Sequence, residues 1–214
     1  MTQFLTTRGP VTALFLAALS CNLYAVDGVV LIDQNRALAG GVTSGDTPGF
    51  PITINQPGSY RLAGNLTVPL NVNGIQISAN DITLDLNGFK IECSSSAVEN
   101  YCIGETGFFQ NISIRNGVVR GTAPGGGALH SVSGLYFIGS SQMTVEELQI
   151  AVNGGTYSLA TGPFSIVRHN NLSGAGINGQ CPTLYAENIN NSGGAGGGGS
   201  GCVRVNNIGV FPTL

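Results

Sequence analysis

The sequence predicts an all-β chain, a single-stranded right-handed parallel β-helix with an N-terminal cap. Three observations predict it. An aliphatic residue, four others and a second aliphatic recur along the chain. The strands so marked are too short to stand alone as hairpins or sheets, so they must stack on equivalents above and below. The composition is rich in turn and strand formers: 33 Gly, 42% hydrophobic and only 9% charged residues. That balance also excludes a disordered chain, which needs little apolar content and much charge.

The elements follow in order. Residues 1–25 read as a secretory signal: Arg8 is the only charge before Asp27, and Val11 to Leu19 form an apolar segment too short to span a bilayer. Cleavage is expected after Ala25, with lipid attachment at Cys21 as the variant of the same export reading. Residues 26–62 are expected to hold the cap and the first strands. Val29 to Leu38 in that region admits a short helix with Asp33 near its start. Residues 63–214 are expected to form coils of about twenty residues.

The repeat is read at Leu86 and Ile91, Ile114 and Val119, Val145 and Ile150, Val167 and Leu172, Leu184 and Ile189, and Val203 and Ile208. Longer steps before residue 145 are assigned to insertions at Cys93 to Cys102 and Gly121 to Gly127. Gly193 to Gly201 is expected to be a loop bulging from a late coil. An antiparallel sandwich or barrel is the competing fold, but it wants longer strands joined by hairpins.

Stacking turns each coil position into a ladder. The position before the second aliphatic holds Lys90, Val118, Gln149, Asn171, Asn188 and Asn207, and predicts an asparagine ladder at a bend. The position after the first aliphatic holds Asn87, Arg115, Glu146, Arg168, Tyr185 and Arg204, and should face outward. Arg115, Glu146 and Arg168 then alternate in sign, as a surface charge ladder or as a ligand-binding stripe.

Four cysteines remain beyond the signal: Cys93, Cys102, Cys181 and Cys202. An even number in an exported chain favours disulfides, with the local pairing Cys93–Cys102 and Cys181–Cys202 preferred among three connectivities. Buried free thiols are the alternative. No metal-ligand spacing is present, and no cofactor is implied. Net charge is −3 and the basic residues are scattered, so nucleic acid is not an expected partner. No integral membrane span is expected, and oligomeric state is left open.

Three segments carry a family resemblance: Gly49 to Leu62, Asp81 to Gly88, and Asn111 to Gly121. On these the chain resembles secreted bacterial right-handed β-helix proteins of the pectin-lyase-like superfamily. The resemblance implies the architecture and carbohydrate as the commonest ligand class, without implying an activity.

Catalysis by such a fold would need converging acids and bases. The densest polar register combines Asp85, Arg115, Glu146, Glu147, Arg168 and His169. Of these, Arg115, Glu146, Arg168 and His169 are the candidates for a catalytic face, His169 acting as a base beside Glu147. The alternative for His169 is an exposed turn residue. His130-Ser131 lacks an acidic partner for a triad. The expected function is therefore an exported, non-catalytic β-helix, secreted, periplasmic or at the cell surface, in glycan binding, adhesion or structure. The alternative is a small polysaccharide lyase or glycoside hydrolase.

Overall fold

Short runs of alternating Ile, Val and Leu bury one face only if each lies against the next coil, and the described strands before the last coils do this. In the computed structural model, which describes residues 28–124, 131–191, 195–196, 201–209 and 211, every strand pairing is parallel and the sheet curls round an axis. The described residues are all-β apart from one short helix. The expected signal, Cys21 and His130 lie outside the described residues.

The strands fall into three ladders, one per face. The first runs through Val29–Ile32, Gly58–Leu62, Ile82–Asp85, the start of Ile112–Thr122, the start of Thr144–Thr161, Ser165–Arg168, Thr183–Ala186 and Val203–Val205. The second runs through Leu66–Thr67, Lys90–Ser94, the end of Ile112–Thr122, the middle of Thr144–Thr161, the start of Asn171–Gly179, Ile189–Asn190 and Ile208–Gly209. The third runs through Ile52–Ile54, Ile75–Ile77, Asn100–Glu105, Val132–Phe137, the end of Thr144–Thr161, the end of Asn171–Gly179 and Ala195–Gly196.

Each face sends one column of side chains inward. Tyr60, Leu84, Ile114, Val145, Val167 and Tyr185 stack behind the first face. Leu66, Ile91, Val119, Ile150 and Leu172 stack behind the second, and Ile75, Ile103, Leu135, Leu159 and Ile177 behind the third. All are buried. A fully buried side chain of this size contributes roughly 1.5–3 kcal/mol, so three continuous columns supply the main drive for coiling.

The observed register corrects the repeat at both ends. Leu84, not Leu86, pairs with Ile114, and Tyr185, not Leu184, pairs with Val167. Leu84 and Leu86 are both fully buried, so an apolar pattern cannot separate them. In the last coils a one-residue slip puts Ile189, Val203 and Ile208 outward, with exposures of 39%, 53% and 64%. Such a slip exchanges the faces of every side chain in a strand. Tyr185 turns inward and packs against the ring of Phe211, 5.8 Å away.

The short helix is Gln34–Ala39. Asp33 is its N-cap, accepting from Arg36 N at 2.8 Å, as its place before the helical run suggests. Gly40 ends the helix with φ 76°, a conformation that costs glycine nothing.

Both local cysteine pairs stand at disulfide distance, with Cα separations of 5.4 Å for Cys93–Cys102 and 4.9 Å for Cys181–Cys202. The first joins the second and third faces of one coil across its corner, with both residues buried. The second joins the lead-ins to neighbouring first-face strands. The expected late glycine-rich loop is in part a strand: Ala195–Gly196 pairs with Ile177 and Asn178 as a rung of the third face.

Candidate functional site

The polar residues singled out in the sequence lie on the first face and on the corner that follows it. The outward column is Arg61, Asp85, Arg115, Glu146 and Arg168, adjacent in that order. Asp85 stands where Asn87 was expected, while Ala186 and Val205 replace Tyr185 and Arg204. Arg115, Glu146 and Arg168 are in the predicted order. Glu146 Oε2 lies 2.6 Å from Arg168 Nη2, and Asp85 Oδ2 lies 3.8 Å from Arg61 Nε and 3.7 Å from Arg115 Nη2. Asp85 Oδ1 also accepts from Asn87 N and Asn116 Nδ2. Each carboxylate is engaged by its neighbours, as a surface charge ladder requires.

His169 occupies the bend between first and second faces. Asn87, Asn116, Glu147, His169, Glu187 and Asn206 share this bend, and all are left-handed, with φ of 50–59°. The bend at Glu147 interrupts the alternation with Glu146. His169 Nε2 is 2.5 Å from Glu187 Oε2, and both side chains are about half exposed. The histidine thus pairs with Glu187, one coil beyond, and Glu147 lines the same shallow corner.

The asparagine ladder lies inside this bend, with Asn188 and Asn207 where expected and Asn170 in place of Asn171. It consists of Asn170, Asn188 and Asn207. Asn170 N donates to Asn188 Oδ1 at 3.0 Å, and Asn188 N to Asn207 Oδ1 at 2.9 Å. Asn170 and Asn188 are buried, whereas Asn171 points out. The amide groups satisfy backbone that the tight bend would leave unpaired.

The third face carries a feature that the sequence pattern did not expose. Tyr101, Tyr136 and Tyr157 come from three successive coils and stack on its outside. Ring centroids are 6.5 Å apart in both steps, with interplanar angles of 6° and 29°. Ser133 pairs in register with both Tyr101 and Tyr157 and is buried, while Tyr136 is offset along its strand and 36% exposed. Gly104 makes room for this: a Cβ there would lie 2.6 Å from Tyr101 Cδ2.

These rings line a groove of about 340 Å³ together with Glu99, Asn100 and Ser133. Asn100 is 6% exposed; its Nδ2 donates to two carbonyls, and its Oδ1 has no hydrogen-bond partner. Tyr101 Oη reaches Gln76 Oε1 at 3.4 Å. Burial, then the charge of Glu105, pushes the Tyr101 phenol up to about 12, so it stays protonated at any physiological pH. Burial also raises Tyr136, helped by Tyr157, Glu99 and Glu105. Glu105 is itself raised by burial, against hydrogen bonds from Ser140 Oγ and Gly139 N that favour its charged form. A second groove of about 580 Å³ adjoins Tyr136 and is lined by Phe108 and Phe164, exposed by 87% and 65%.

The repeat unit in the sequence covers only the first and second faces, which is why the tyrosines were missed. Their spacing carries no constant period, because corners of different length precede them. Among the described residues no group of three or more His, Cys, Asp or Glu is placed to hold a metal ion, and no helix is long and apolar enough to cross a membrane. No family model, curated protein or solved structure matches the chain.

Proposed function

We propose that this protein is an exported, non-catalytic β-helix that binds glycans along its third face. The observation that carries the proposal is the row of Tyr101, Tyr136 and Tyr157 above a groove with hydrogen-bonding walls. A pyranose ring has an apolar C–H face and a hydroxylated edge. Tyrosine answers both, with a flat apolar body and a polar tip that loses little conformational freedom on binding. The floor beneath the rings supplies the few polar groups that orient a ligand.

Other features support the remaining parts of the reading. The candidates for a catalytic face are engaged away from the third face: Arg115 by Asp85, Arg168 by Glu146, and His169 by Glu187. Two cysteine pairs at disulfide distance suit an oxidising compartment, in agreement with the signal-like N-terminus. The coil is taken to be right-handed, as crossovers between parallel strands almost always are, with a cap over its N-terminal end, as an open sheet edge requires. Kinship with the pectin-lyase-like superfamily belongs to the same proposal and rests on the resemblance of segments alone.

A glycan array followed by titration of the best oligosaccharide tests the proposal. Tyr136→Ala should weaken binding at least tenfold, about 1.4 kcal/mol. Binding that is indifferent to Tyr136→Ala overturns the tyrosine site. Turnover of a uronate polymer that disappears in Arg115→Ala or Arg168→Ala would replace it with the lyase alternative.

A further inference from the structure

Charge on the third face bears on which glycans the tyrosine row accepts. Glu99 lines the groove and is exposed. Glu105 follows Gly104, the register partner of Tyr136, and its carboxylate accepts from Gly139 N and Ser140 Oγ. Among the described residues neither carboxylate forms an ion pair with a cation. Arg36 is in the helix; Arg61, Arg115, Arg168 and Arg204 are on the first face; Lys90 and Arg120 are on the second. The third-face strands contain neither Lys nor Arg.

A carboxylated or sulfated sugar laid on the tyrosines would bring its anion toward Glu99 with no guanidinium or ammonium to receive it. Recognition of carboxylate normally relies on such a fork. Like charges across a partly desolvated groove repel, and that repulsion weakens with salt. A neutral sugar meets none of this cost, and its hydroxyls can donate to Glu99 and to the Asn100 side.

We infer that the tyrosine groove selects uncharged glycans and rejects polyuronates and other anionic glycans, through the carboxylates flanking Tyr136 and the lack of cations among the described residues of the third face. This rests on the glycan-binding reading above.

The test uses matched oligosaccharides that differ only in bearing a hydroxymethyl or a carboxylate at the sugar's terminal carbon: gluco-, manno- and galacto-oligomers against the corresponding uronates. The chain has no Trp and 6 Tyr, three of them in the row, so quenching of tyrosine fluorescence reports ring stacking directly. In dilute buffer the best neutral ligand should bind at least about tenfold more tightly than its uronate. The ratio should narrow in high salt and narrow further in Glu99→Gln. Equal or tighter binding of the uronate, still lost in Tyr136→Ala, overturns the selectivity and leaves the binding site standing. Failure of every oligosaccharide to quench, or quenching indifferent to Tyr136→Ala, removes the glycan-binding reading and the selectivity together.

Discussion

At Asn188 one buried amide ties three coils together. It accepts from Asn170 N and Nδ2 and donates to Val167 O and Asn207 Oδ1. Asn188→Ala would leave a buried N–H and a buried carbonyl without partners, each costing about 1–3 kcal/mol. Thermal denaturation should show a clear loss for Asn188→Ala and a change within about 0.5 kcal/mol for outward Asn171→Ala. Equal effects would place the ladder at the register first read from the sequence. That register was one residue off at Asn171 for a physical reason. Asparagine suits both the inside of a bend and an outward strand start, and the neighbouring pair Asn170-Asn171 offers one of each. The charged residues were easier. Arg115, Glu146 and Arg168 fall in one column because strong apolar neighbours, Ile114, Val145 and Val167, pin their strands.

At the scale of elements, corners decide what the strands cannot. The bend after the first face repeats a left-handed residue in coil after coil, and Asn, Glu and His fill it in turn. His169 drew attention as a base, yet its conformation follows from that bend and its partner is Glu187. The corner between second and third faces varies in length, so no fixed period in the sequence links Tyr101, Tyr136 and Tyr157. Disulfides act on the same corners and on the joins between coils. Cys181–Cys202 closes a separation of 21 residues and links adjacent coils. Replacing both with Ser should lower stability by about 3 kcal/mol in denaturant titrations. Unchanged stability would show that the pair does not constrain the unfolded chain.

The whole molecule is a stack in which each coil meets mainly its neighbours, so architecture was legible from local pattern while function was not. Apolar spacing, the helix start at Asp33 and the local cysteine pairing all follow from short-range chemistry that a sequence displays. The tyrosine row exists only after coils separated by unequal lengths of chain are superposed. It places the proposed binding surface on the one face that the repeat left unassigned, away from the charged stripe. The most direct measurement follows the ring resonances of isotope-labelled tyrosine while the best-bound neutral oligosaccharide is added. Tyr101, Tyr136 and Tyr157 should shift together and saturably, while buried Tyr60 and Tyr185 stay in place. Shifts confined to residues around Arg168 and His169, with the three rings unmoved, would contradict the account.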